Sequence, residues 1–287
     1  VSKGKTLLAT TDLLTDGIHF DLRYISFFQL GAKALLVNIS DIAAMAGIPK
    51  YALIAIAVPD NIKVEELNEI YRGIKKTASA YKVSIIGGDT SGSKNGLMIS
   101  ITLLGEAKQG NIVKRDGAKP GDKIFVTGTL GDSSAGLELL KKGKRKGFLI
   151  NRHIRPTPRL KEAYFIAQNM LATSMIDISD SLSTDLNHIC EQSRVGAVIY
   201  EDRIPLSKEL KKAEFKKGPL HYALSGGEDY ELLFTVKKKN VKNIYDAISR
   251  NRLSATMIGE ITKKGLLLVD REGVQRPLLP TGFNHFK

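Results

Sequence analysis

The segment MIDISDSLSTDL, residues 175–186, constrains this chain more than any other. Apolar Met175, Ile176 and Ile178 read as the end of a buried strand. Asp177, Asp180 and Asp185 are interleaved with Ser179, Ser181, Ser183 and Thr184. The serine-rich part reads as a helix start, because short oxygen side chains satisfy the free N–H groups of a first turn. Two carboxylates within about 4 Å repel by roughly 4 kcal/mol at an effective dielectric of 20. Asp177 and Asp180 therefore need a cation, a proton or wide separation. Hard oxygen ligands at this density suit Mg²⁺ or Ca²⁺; solvated acids at a helix N-terminus are the alternative. Recurrence of the pattern elsewhere in the chain favours the cation.

Residues 6–11 predict a strand that delivers Asp12 at its end, with Thr10 and Thr11 beside it. Asp16, Gly17 and His19 follow in a loop, where His19 reads as a substrate contact or a turn residue. A helical apolar period over residues 27–45 places Leu30, Ala34, Val37 and Ala44 near one stripe, with Gly47 just beyond. Lys33, Val37 and Asp41 share a face of that helix. A carboxylate in so apolar a segment is either paired or bound to metal. A strand is expected at 51–58 and an amphipathic helix carrying Tyr71 at 64–81. A short strand at 83–86 runs into Gly87-Gly88-Asp89-Thr90, read as a close backbone approach to a ligand or as a tight turn. Another strand is expected at 97–106.

Residues 110–121, with several glycines and one proline, read as a linker. Beyond it a strand at 123–127 meets a turn containing Gly128 and Gly131 before a helix, a place where backbone N–H groups can cradle phosphate. Helices are expected at 134–142, 159–170, 183–193 and 241–250, and strands at 196–200, 231–236, 255–261 and 266–269. The segment LSGGEDYE, residues 224–231, repeats the Gly-Gly-acid theme with Glu228 and Asp229. Two α/β halves facing a shared cleft follow from that echo. The mixed order argues for α+β layers and against a doubly wound sheet.

Composition narrows the function. With 287 residues, 43% apolar and 25% charged, the chain suits a soluble globular protein of two ordinary domains. The single Cys190 excludes an internal disulfide and a thiolate metal cluster, and fits a reducing, cytoplasmic setting. No signal-peptide pattern and no apolar run long enough to span a bilayer is read. The chain opens almost inside a strand, so a preceding segment is expected. Net charge is +13, yet there is no Trp and only 7% aromatic residues, so stacking platforms for nucleic acid are poorly supplied. The lysine runs at 141–146 and 237–239 read as solvated faces. No Walker loop, zincin histidine pair or local triad signature occurs. Asp12, Asp41, Asp89, Asp177 and Asp180, all at strand ends or in apolar segments, point to several Mg²⁺ ions bridging a polyphosphate. Arg115 or Lys114 would neutralise further charge, and the chemistry indicated is phosphoryl transfer from a nucleotide.

TTDLLTDGIHF, KALLVNISDIAAMAG, IGGDTS, VTGTLGDSSAGLELL, MIDISDSLSTDLNHI, SGGEDYELLFT and GFNHF, in that order, resemble the thiamine-monophosphate kinase family. That family belongs to the ATP-binding superfamily of aminoimidazole ribonucleotide synthetase and selenophosphate synthetase. The resemblance covers nearly the whole chain. It implies that ATP, as co-substrate, donates its γ-phosphate directly to thiamine monophosphate, giving thiamine diphosphate. It implies Mg²⁺ at Thr10, Thr11, Asp12, Asp41, Asp89, Asp177 and Asp180, with Asp177 and Asp180 at the reacting centre. Tyr71, Gly88, Asp89, Arg115 and Ser179 would lie near ATP, and His19, Glu228 and Phe283 near the thiamine moiety. The implied fold is α+β: an N-terminal α/β dimerisation domain with a mixed sheet (1–109), then a layered α+β domain (110–287), with ATP in the cleft. A homodimer is implied, with no nucleic-acid or membrane partner.

The chain departs from the family pattern twice. A glycine followed by paired acids is expected upstream of the first strand and is not in this sequence. Ser181 stands where the family usually has glycine, so a local backbone adjustment is expected there. Two other readings remain open: a ring-closing synthetase of the same superfamily, and a basic nucleic-acid-binding module on a degenerate nucleotide fold.

Overall fold

Alternating burial along three extended segments, joined by an exposed edge strand, builds the first sheet of the computed structural model, which describes residues 3–282. Strand β1 (Lys5–Thr15) precedes helix α1 (Phe27–Ala44), β2 (Ile48–Pro59), α2 (Val64–Tyr81), β3 (Ser84–Ser93) and β4 (Met98–Lys108). The sheet order is β1-β4-β2-β3. Strand β4 runs antiparallel to both β1 and β2, while β2 and β3 pair in parallel across α2. Both helices cover one face, and Gly31 lets them touch: a Cβ there would lie 2.0 Å from the Ile70 carbonyl oxygen. The opposite face carries exposed Leu7, Leu13, Tyr51 and Leu53.

Three expectations for this half need correction. Residues 87–90 do not leave the sheet; β3 runs through them to Ser93 after a bulge opposite Ala52 and Leu53. Backbone pairing with β2 overrides the low strand preference of glycine. Helix α1 is buried on nearly all sides, where a single apolar stripe was expected. From Leu30 to Ala44 only Asp41 is not buried, because α1 lies between its own sheet and the second domain. By length and composition α1 could cross a membrane, contrary to the expectation of no such run, and 78% of it is buried inside the fold. A capping box, Ser26 with Gln29, starts it.

Residues 109–122 separate this unit from a seven-stranded sheet of order β11-β10-β7-β9-β5-β8-β6. Its elements are β5 (Lys123–Thr127), α3 (Asp132–Lys141), α4 (Phe148–Ile154), α5 (Leu160–Gln168), β6 (Ala172–Asp177), α6 (Leu182–Ser193) and β7 (Gly196–Tyr200). There follow α7 (Lys208–Lys212), α8 (Pro219–Ser225), β8 (Leu232–Val236), α9 (Val241–Ser249), β9 (Ala255–Thr262), β10 (Leu266–Val269) and β11 (Gln275–Pro277). Helices α6 and α8 pack on one face, and α5, α9 and the end of α1 on the other. Only β7 and β10 pair in parallel. The connecting segment is docked along this unit: Lys114 O accepts from Met175 N, and Arg115 O from Ser193 Oγ. The elements not anticipated (α4, α7, α8 and β11) have three to seven residues each, too few to show a period.

One ionic knot holds the second unit together. Glu231 is fully buried and accepts from Arg152 Nη2 (2.6 Å), Arg159 Nε (2.6 Å) and Thr127 Oγ1 (2.6 Å). Breaking one partner of such a buried network leaves its charges uncompensated. Glu231→Gln is expected to lower unfolding free energy by about 3–5 kcal/mol, read from urea denaturation.

Candidate active site

Three carboxylates from three elements meet where the two units face each other. Asp12 was expected at a strand end but lies inside β1, between Thr10 and Leu14 on the inward-facing series, because pairing with β4 carries the strand on to Thr15. Asp41 is the one open position on the buried stretch of α1, and Asp177 is the last residue of β6. Thr10 Oγ1 donates to Asp41, and Ser40 Oγ donates to Asp177 Oδ2 at 2.5 Å. Burial, reinforced by Asp41, pushes the Asp12 carboxyl up to about 7. Burial also raises Asp41, although Thr10 and Arg115 pull it back. Asp177 is driven well above the ordinary carboxylate range by burial and then by Asp41. Groups this crowded favour protons or a hard cation, so the donor set fits Mg²⁺ chemically.

Beyond Asp177 the backbone is zipped to the Gly-Gly-Glu-Asp loop. Ile178 N donates to Glu231 O, Glu228 N to Ser179 O (2.7 Å) and Tyr230 N to Ile178 O. Glu228 (φ +63°) and Tyr230 (φ +52°) both lie in the left-handed region, a strained arrangement for residues with a Cβ. Asp185 caps the same turn, accepting from the N–H groups of Asp180 and Ser181 at 3.1 Å each. Burial lifts Asp185 to about 7. Asp180, Asp185 and His188 bring ligand-type atoms within 4.8 Å of one another.

At its other end α1 presents Lys33, buried, whose Nζ lies 2.9 Å from Glu228 Oε1. Eight residues separate Lys33 from Asp41, so the Glu228 end and the acid cluster lie about 12 Å apart along one helix face. His19 acts electrostatically on Glu228, which puts two of the residues expected at the acceptor together. Its Nδ1 accepts from Thr15 N at 3.1 Å. Phe283 lies outside the described residues. The chain just before it is held down: Thr281 N donates to Ser183 Oγ and Gly282 N to Thr184 Oγ1, on the first turn of α6.

Not every expected ligand joins the cluster. Thr11 points to the outer face of the first sheet, where Thr102 Oγ1 donates to it. Asp89 lies exposed on β3, three strands away from β1 and beside the Tyr71–Thr90 hydroxyl pair at 3.3 Å. Tyr71, Gly88 and Asp89 therefore form a group of their own, while Arg115 faces Asp41 and Asp185.

The phosphate-cradle reading of Gly128 and Gly131 is overturned. The start of α3 is already filled by Asp229, whose carboxylate accepts from Gly131 N (2.6 Å) and Ser133 N (3.2 Å). Ser181 is extended (φ 173°), a conformation any residue adopts, and its Oγ caps α6 by accepting from Thr184 N. No strain arises there. Sequence reasoning missed Ser40 and His153 altogether and left Lys33 without a role. A lysine inside an otherwise apolar helix was the available signal.

Two layered units sharing a cleft lined by acids define the AIR synthase related class. The family model for the AIR synthase related protein N-terminal domain matches residues 1–107, and that for its C-terminal domain matches residues 119–270. Thiamine-monophosphate kinase of Aquifex aeolicus is 41% identical over 98% of this chain and 89% of its own length. That of Bacillus subtilis is 35% identical over 98% and 88%. A solved structure described as AaThiL complexed with AMPPCP and TMP superposes with a TM-score of 0.88 at 39% identity, covering 100% of this chain and 89% of the other. The chain belongs to the thiamine-monophosphate kinase family.

The raised carboxyls carry a pH signature. Asp12 has a folded pKa of about 7 against an ordinary 3.8, so its contribution to stability is fully present below about pH 4 and is lost as pH rises through 7. In EDTA the thermal midpoint is expected to fall between pH 5 and 8. Added Mg²⁺ is expected to restore it at pH 8, where the ligands are ionised.

Proposed function

We propose that this chain transfers the γ-phosphate of ATP to the phosphate of thiamine monophosphate, giving thiamine diphosphate and ADP. The observation that carries the reading is the convergence of Asp12, Asp41 and Asp177 from β1, α1 and β6 in a chain of this family. Thr10, Asp12, Asp41, Asp177 and Asp180 would hold Mg²⁺. Bound there, it would supply charge neutralisation to the phosphate oxygens. Arg115, opposite Asp41, would draw the same oxygens by its own charge. Glu228, about 12 Å along α1, would face the cationic thiamine end, and the cleft walls would align donor and acceptor, which is most of what phosphoryl transfer requires.

The reading extends to assembly. A homodimer joined through the bare sheet face would cover Leu7, Leu13, Tyr51 and Leu53. It would also explain Asp89, which stands on β3, three strands from Asp12 within one copy, but would be available to a second copy. The unit boundary is placed at residues 109 and 110, and the protein in the cytoplasm, where a buried free Cys190 stays reduced.

A coupled assay of ADP release with thiamine monophosphate, with and without Mg²⁺, tests the reaction on the intact protein. Mg²⁺-dependent turnover is expected, reduced roughly a hundredfold or more in Asp41→Asn and Asp177→Asn. Failure to form thiamine diphosphate would sink the proposal. In sedimentation, the native protein is expected as a dimer and Leu13→Glu with Leu53→Glu as a monomer of lowered activity; a monomeric native protein would remove the dimer.

A further inference from the structure

We propose that Lys33 and His153 are positioning residues for acceptor recognition, clamping the Glu228 carboxylate from its buried side so that its open side meets the cationic end of the acceptor. This rests on the kinase reading above.

The geometry is that of a clamp. Lys33 Nζ reaches both carboxylate oxygens, Oε1 at 2.9 Å and Oε2 at 3.1 Å, and His153 Nδ1 lies 3.2 Å from Oε2. The Lys33 and His153 side chains are 1% and 3% exposed, whereas Glu228 is 26% exposed. Both donors therefore stand behind the carboxylate, on the side away from solvent. The three residues come from α1, α4 and the loop before β8. An ion pair that served only to join the two units would not need a left-handed backbone at Glu228, nor a carboxylate open on one side.

The charges agree with that orientation. Burial alone would raise Glu228, but Lys33, His153 and His19 outweigh it and hold the carboxyl below its ordinary value. Burial, together with Lys33 and despite Glu228, pushes His153 down to about 3, so it serves as a neutral ring. Its Nδ1 lies within reach of Ser133 Oγ (3.1 Å) as well as Glu228. Lys141 also bears on His153. Tyr24 and Tyr230, on which Glu228 also acts, are both raised, first by burial, and stay uncharged. Within the clamp the Glu228 carboxylate therefore meets an amine 2.9 Å away and a neutral imidazole. An ionised acid fixed in this way attracts a permanent cation such as a thiazolium and accepts from an exocyclic amine.

Steady-state kinetics of the full chain test the clamp, with Lys33→Met, Glu228→Gln and the double variant assayed beside the native enzyme. Lys33→Met is expected to raise KM for thiamine monophosphate roughly tenfold or more while leaving KM for ATP and kcat within about twofold. In the Glu228→Gln background the same substitution is expected to change KM by less than about twofold, because its effect passes through Glu228. Equal changes in both KM values, or an undiminished effect in the Glu228→Gln background, would overturn the clamp. If Lys33→Met does not fold, His153→Gln against His153→Leu decides: only the variant that keeps a donor toward Glu228 should retain native acceptor KM. Native protein without turnover on thiamine monophosphate refutes the kinase reading itself. Native turnover with unchanged acceptor KM in these variants refutes the clamp alone.

Discussion

Helix α1 carries two ionisable side chains in eighteen residues, Lys33 and Asp41, and both lie on the same face. Everything else on that helix from Leu30 to Ala44 is buried in the packing of two units, which the helix joins. A charge in such a place is tolerated only with a partner, since an isolated buried ion loses far more hydration than the interior returns. Lys33 finds Glu228 across the cleft, and Asp41 meets the hydroxyl of Thr10 and the charge of Arg115. The two charges thereby mark two points where α1 meets the rest of the chain, while Ala43 and Ala44 pack into the core of the second unit.

The docking also accounts for the strained loop. Glu228 and Tyr230 adopt left-handed backbone on either side of buried Asp229, and each N–H is satisfied by the segment that follows β6. Asp229 in turn closes the N-terminus of α3, where a phosphate would otherwise have been welcome. A single four-residue stretch, Gly226-Gly227-Glu228-Asp229, therefore performs two unrelated tasks. One acid faces the cleft; the next is part of the core.

Around Asp12, Asp41 and Asp177 the electrostatics run against the chain's basic balance. A net charge of +13 lowers the potential energy of acids in general, yet these three remain hard to ionise because burial and mutual repulsion dominate at short range. The local arrangement is an acidic one even though the protein as a whole is cationic.

Much of this was legible in the chain. Strand alternation and the helical period marked the long elements, and acids set in apolar runs marked Asp12, Asp41 and Asp177 as residues that need partners, because hydrophobic patterning and hydration cost act locally. Short α4, α7 and α8 left no period to read, and β3 crossed two glycines because a neighbouring strand supplied its hydrogen bonds. Distance along the chain conceals distance in space: nothing near Lys33 announces Glu228, nothing near Ser40 announces Asp177, and Asp229 looks like Glu228 until its neighbours are known. Composition and order determined the family, the two-layered halves and the acidic chemistry of the cleft. Only tertiary packing decided which acids face each other, which are caps, and which stand on the far face of the sheet, because those outcomes depend on contacts between residues as much as 195 positions apart.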